Sequence, residues 1–108
     1  MEVQIVSVAA DELRKLPGTE RKAMANALAK LRAFGAQLPY PHSSQVKSSR
    51  LRELRPRAGR SPWRAIYRQV GTRIVVLAIV PEALHDSKGF ERGIRLAEER
   101  LTELETGQ

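Results

Sequence analysis

Apolar and polar positions alternate with a period of two over Val3-Gln4-Ile5-Val6-Ser7-Val8, the pattern of a β-branched strand. Ala9 to Leu16 reads as a short helix, stopped by Pro17-Gly18. Thr19 offers an N-cap, and Glu20 places an acid in the first turn of a second helix. Met24, Ala27, Leu28 and Leu31 recur at helical spacing, so that helix is expected over Glu20 to Phe34, with Gly35 as its stop. Residues 36–49 are polar and rich in proline and serine, and read as a loop within the domain.

Beyond the loop the period returns to two. Leu51–Arg57 is an expected strand, Arg57–Pro62 a flexible basic turn, and Trp63–Val70 a second strand. Gly71-Thr72 makes a tight hairpin turn into Arg73–Val80. Ile74 to Val80 is apolar at every position, which suits a central strand covered on both faces. Pro81 ends it, and Glu82–Gly89 is a polar loop. Phe90, Ile94, Ala97, Leu101 and Leu104 then mark a C-terminal amphipathic helix. The order is β-α-α-β-β-β-α. It predicts a small α+β sandwich: an antiparallel sheet of about four strands, with helices packed on one side.

At 108 residues the chain is expected to form one domain, residues 1–108. With 42% apolar and 29% charged residues it is not a disordered segment. It contains no cysteine, which excludes disulfides, thiolate metal sites and cysteine nucleophiles, and suits a reducing cytoplasm. His42 and His85 lack metal-ligand spacing, so no metal is expected. No apolar run approaches the ~20 residues that span a bilayer, and no signal peptide is read at the N-terminus. There is no Gly-rich phosphate loop, no GxSxG and no paired-carboxylate signature, so nucleotide and serine hydrolysis are unsupported and no cofactor is expected.

Charge changes the picture. From Lys47 to Arg73 nine basic residues face one acid, Glu53, a net of +8. The remainder carries ten basic and eleven acidic residues, a net of −1. Eight of the nine are arginines, whose planar fork matches phosphate and stacks on bases. Such a patch is the footprint of a nucleic-acid binder, with a solvated strand face or a docking site for an acidic protein as the plainer readings. A membrane surface fits less well, because lysine on an amphipathic helix is the usual device there.

Period two puts Glu53, Arg55 and Arg57 on one face of their strand, and Arg64, Ile66, Arg68 and Val70 on one face of the next. Paired antiparallel, the strands would align Arg55, Arg57, Arg64 and Arg68 into one cationic surface. That surface would clamp a phosphate backbone or stabilise the charge of a phosphoryl-transfer transition state. Trp63, Ala65 and Tyr67 share the other face, where the aromatics either stack on bases or join the core. His85, beside Asp86 and Lys88 in the loop after the central strand, is a candidate for proton transfer or an inert surface histidine.

Leu51-Arg52-Glu53-Leu54-Arg55, then Trp63-Arg64-Ala65-Ile66-Tyr67-Arg68 and the apolar run Ile74–Val80, resemble the RelE/ParE toxin superfamily. The HigB branch, which includes phage-derived toxin-like proteins, is the most similar. The resemblance covers most of the chain, and the order and spacing of short motifs carry it. It implies a RelE-like sandwich and the toxin of a type II toxin–antitoxin pair, acting in the cytoplasm. Such toxins enter the ribosomal A site and cut mRNA without a metal, by attack of the 2′-hydroxyl on the adjacent phosphate. The resemblance matches Arg64 to the family's transition-state arginine, with Arg55 near a second basic position. His85 and Lys88 stand where the family has a basic loop, while Glu82 and Ala83 depart from it. Lys47, Arg50, Arg52, Arg57, Arg60, Trp63 and Arg68 are then expected to contact RNA.

Two other classes stay open: a ParE-like gyrase inhibitor, and a nucleic-acid-binding module that cuts nothing. The implied partners are the ribosome, mRNA and an antitoxin, expected to be of helix-turn-helix type. The antitoxin would present acidic or apolar segments to the basic surface. Glu98, Glu99, Glu103 and Glu105 on the last helix are a candidate partner surface or a plain solvent face.

Overall fold

All seven residues of the run Ile74–Val80 are buried, in the middle of a strand that organises the fold. The computed structural model describes residues 1–107. That central strand, β5 (Arg73–Pro81), pairs antiparallel with β4 (Trp63–Val70) and parallel with β1 (Glu2–Ile5). β3 (Arg52–Leu54) and β2 (Ser43–Gln45) extend the sheet beyond β4, in the order β1-β5-β4-β3-β2. The sheet is therefore mixed and five-stranded, not an antiparallel sheet of four. Alternation along a strand reports which residues face inward but not the direction of its neighbour, so the parallel β1–β5 pair left no trace in the pattern.

Ile66 pairs with Ala78 and Tyr67 with Val76, which leaves Leu77 as a β-bulge. The bulge shifts the alternation, so Val75, Leu77, Ala78 and Val80 all face one side. Ile74, Val76 and Ile79 face the other. The helix α3 (Ser87–Thr106) covers the first face through Phe90, Ile94, Ala97 and Leu101. The helices α1 (Ser7–Arg14) and α2 (Gly18–Phe34) cover the second, with Leu13, Met24, Leu28 and Leu31 over Leu54, Ala65 and Tyr67. Helices thus lie on both faces, correcting the one-sided arrangement. A strand apolar on both faces needs a cover on each.

Several boundaries also move. β1 ends at Ile5 because Val6 is the N-cap of α1, and Val8 is exposed on that helix. α2 starts at Gly18 with Pro17 as its N-cap, so Thr19 lies inside it. The polar segment 36–49 contains β2, whose Ser43-Ser44-Gln45 shows no apolar alternation. The expected strand Leu51–Arg57 stops at Leu54, because Pro56 opens a 3-10 turn over Pro56–Gly59. α3 starts three residues before Phe90, where the Asp86 carboxylate accepts from the Gly89 amide at 2.9 Å. Among the described residues, no helix is long and apolar enough to cross a membrane.

Candidate functional site

The site residues collect at the end of the sheet where β4 begins and β5 ends. Arg64 stands on the α3 face of β4 and is 3% exposed. Its Nε donates to Glu53 Oε1 at 3.0 Å, Nη1 to the carbonyls of Ser61 (2.7 Å) and Trp63 (2.9 Å), and Nη2 to the Gly59 carbonyl at 3.1 Å. Glu82 Oε2 lies 3.7 Å from Nη2. Burial, then the neighbouring Arg55, pushes the Arg64 guanidinium below its usual range, and Glu53 and Glu82 oppose that shift. The group stays charged, as arginine does in proteins.

Arg55 sits just beyond β3. Its Nε donates to the Pro41 carbonyl at 2.9 Å and its Nη1 to the same Glu53 oxygen at 3.5 Å. The guanidinium lies 5.0 Å from the centre of the Tyr40 ring, a cation–π contact. Gly59 has φ +94°, and a Cβ there would collide with the Arg55 guanidinium. The turn thus needs glycine for its dihedral, and a larger residue would also displace the end of the Arg55 side chain.

The turn itself is strained. Arg57 and Ala58 both have φ 55°, in the left-handed region that costs about 1–2 kcal/mol per non-glycine residue. Glu20 of α2 holds it: Arg57 Nη1 donates to Glu20 Oε2 at 2.6 Å, and the buried Ser61 Oγ to Oε1 at 2.7 Å. The Ser61 hydrogen bond first, then that of Arg57, keeps the Glu20 carboxyl below its ordinary pKa. The turn in turn presents the Gly59 and Ser61 carbonyls to Arg64.

The structure divides the basic residues into separate groups and brings remote acids to them. Arg57 leaves the strand for Glu20, so it does not join Arg55, Arg64 and Arg68 in one surface. Arg68 lies at the other end of β4, donating to the Arg50 carbonyl at 2.7 Å. Arg50 pairs with Glu98 and Glu105 of α3, both at 3.2 Å. Those two glutamates therefore bind within the molecule, while Glu99 and Glu103 stay exposed. Arg52 bonds Ser43 Oγ at 3.1 Å, beside the buried Tyr67 hydroxyl, which also reaches Ser43. Tyr67 is thus core. Among the described residues, Lys47, Arg52, Arg60, Arg68 and Arg73 form no ion pair.

Beside the Arg64 cluster, a cleft of about 380 Å³ opens along β5 past the end of β1. Half-buried Trp63 and exposed His85 line it, with Ile79, Pro81, Arg92 and Leu96. The His85 amide donates to the Glu82 carbonyl at 3.1 Å, which ties this loop to the residue that faces Arg64. Lys88 is exposed in the first turn of α3. Arg92 also lines the cleft, although it lies outside the basic segment Lys47–Arg73. No signal in the sequence marked it, since only the packing of α3 on β5 brings it to the cleft. No group of three or more histidines and carboxylates among the described residues is placed to hold a metal.

Residues 11–102 match the family model described as "Phage derived protein Gp49-like". None of the curated proteins compared matches the chain. Among solved structures, a double-arginine mutant of the Escherichia coli toxin RelE in the free state superposes with a TM-score of 0.60 at 14% identity, covering 87% of this chain and 94% of that one. The toxin–antitoxin complex RelBE2 from Mycobacterium tuberculosis gives 0.55 at 21% identity, covering 75% and 96%. The chain has the fold of the RelE toxins, as the resemblance implied, and it belongs to the Gp49-like family of phage-derived proteins.

Proposed function

We propose that this protein is the toxin of a toxin–antitoxin pair and cuts mRNA on the translating ribosome in the cytoplasm. The observation that supports this most is the Arg55–Glu53–Arg64 cluster on a RelE-like fold, with the His85 loop joined to it through Glu82. Arg55 and the field of Arg64 stabilise the extra negative charge on the phosphate in the transition state. His85 transfers a proton, with Lys88 three residues further on supplying a positive charge. The 2′-oxygen loses its proton and bonds to phosphorus as the P–O5′ bond breaks. The leaving 5′-oxygen takes up a proton, giving a 2′,3′-cyclic phosphate and a 5′-hydroxyl.

The partner expected with such a toxin is an antitoxin of helix-turn-helix type; the RelBE2 structure is of a toxin with its antitoxin. One observation favours a second reading. Glu53 and Glu82 stand against Arg64 and neutralise much of its charge. A protein that binds gyrase or nucleic acid without cutting needs no free arginine at that point.

The test is the chemistry of the ends. Ribosomes programmed with mRNA are mixed with the protein, and a second mRNA carries 2′-deoxynucleotides through its A-site codon. Cuts with 5′-hydroxyl ends in the first, absent from the second, support the nuclease. Equal cutting of both excludes 2′-hydroxyl attack. No cutting of either transfers the proposal to the second reading.

A further inference from the structure

We infer that the cleft along the end of β5, lined from α1 on one side and α3 on the other, is a nucleotide slot, in which a base stacks on Trp63 and Arg92 holds the attached phosphate. The inference deepens the RNA reading above and rests on it. It concerns ground-state binding of one nucleotide, which needs no ribosome.

Four features of the cleft point this way. Its walls are apolar: Trp63, Ile79, Pro81 and the exposed Leu96 line it. A half-buried indole edging an apolar slot is a stacking surface for any base, worth about 1–3 kcal/mol per base in single-strand binders. At about 380 Å³, the volume lies in the range of small-ligand sites.

Glycine sets how closely α3 approaches β5 beside the slot. A Cβ on Gly93 would enter the Val80 side chain, and one on Gly89 would meet Pro81 and Asp86. α3 therefore packs closely on β5 along the slot.

The charges of the slot are unevenly engaged. Its two acids serve the protein: Glu12 pairs with Arg100 at 2.9 Å and accepts the Ile79 amide at 3.0 Å, and Asp86 caps α3. Its basic side chains are free, since Arg92 and the His85 imidazole make no hydrogen bond or ion pair among the described residues. The slot thus offers an unengaged guanidinium, the fork that phosphate accepts bidentately, beside an apolar stacking wall. A cation next to an aromatic plane is the chemistry of a nucleotide.

Trp63 is the only tryptophan of the chain and lines the slot, so tryptophan fluorescence can follow binding there. The purified protein is titrated with the four nucleoside 5′-monophosphates in ribo and deoxyribo form, with ribose 5-phosphate and inorganic phosphate as controls. Saturable quenching by nucleotides is expected, weakened at least tenfold in Arg92→Gln and unchanged in Arg95→Gln, an exposed residue one turn along the same helix. Tighter ribonucleotides assign the slot to RNA; tighter deoxyribonucleotides assign it to DNA.

No saturable change with any nucleotide overturns the inference. So does binding no tighter than that of ribose 5-phosphate, because stacking would then contribute nothing. Equal weakening by both arginine variants also overturns it, by pointing to the general field of the protein. Nucleotide binding with uncut mRNA leaves the slot and removes the nuclease; cut mRNA without nucleotide binding does the reverse.

Discussion

Arg64 turns its donors inward, onto Glu53 and three backbone carbonyls, so in this conformation it anchors the 56–62 turn. Replacing it with alanine leaves Glu53 and those carbonyls with a buried deficit. Breaking a buried pair from one side typically costs about 3–5 kcal/mol. Urea unfolding of Arg64→Ala is expected to show a loss of that order, and a loss below about 1 kcal/mol would contradict the anchoring role. Loss of activity in that variant therefore says little about chemistry, whereas exposed His85 can be altered without disturbing the core. Glu20 has a signature of its own. Its folded pKa lies below the unfolded value, so its stabilisation is complete above the unfolded value and is lost as pH falls through the folded one. Stability measured from pH 7 to pH 3 should fall more steeply in the native chain than in Glu20→Gln, and parallel curves would show that Glu20 holds nothing.

At the scale of elements, α3 and β5 meet through a glycine. Gly93→Ala gains helix propensity of about 1 kcal/mol. It also forces a methyl into Val80, and overpacking of this kind costs about 1–3 kcal/mol. The variant is expected to be less stable than the native chain, with much of the loss restored in the pair Gly93→Ala and Val80→Ala. Additive losses in thermal unfolding would mean that the two side chains do not meet.

The elements that were legible in the sequence are those with long, regular periods. α2, β4, β5 and α3 were readable from Met24–Leu31, Trp63–Val70, Ile74–Val80 and Phe90–Leu104. β2 was not, because three polar residues on a sheet edge carry no pattern. The cover on both sides of β5 was implicit in its unbroken apolar run. Its mixed topology was not, because the parallel partner β1 lies some 70 residues away in the chain, as in the pair Val3 and Ile74.

For the molecule as a whole, the net +8 counted from Lys47 to Arg73 overstates the free cationic surface. Glu20, Glu82, Glu98 and Glu105, all outside the basic segment, pair with Arg57, Arg64 and Arg50. Local counting along the chain could not find them, since each pairing spans 18 residues or more. The candidate site was partly legible for the same reason. Arg64, Arg55 and His85 stood out by type and motif, while Arg92 became visible only when α3 folded onto β5. This gives a whole-molecule prediction for RNA binding against salt. Lys47→Gln removes an unpaired cation and should reduce the salt slope by about 0.7 on single-stranded RNA. Arg50→Gln, already held by α3, should leave the slope unchanged; the opposite order would mean that α3 releases Arg50 when RNA binds.

The central claim concerns translation, and one measurement addresses it directly. The native protein and His85→Ala are added to a cell-free translation reaction, and mRNA ends are mapped by primer extension with and without active ribosomes. Cuts within codons that need translating ribosomes, and that fade by a hundredfold or more in His85→Ala, are the predicted result, in line with the about 10²–10⁴-fold worth of general acid–base catalysis. Intact mRNA and undiminished protein synthesis with the native chain would contradict the account.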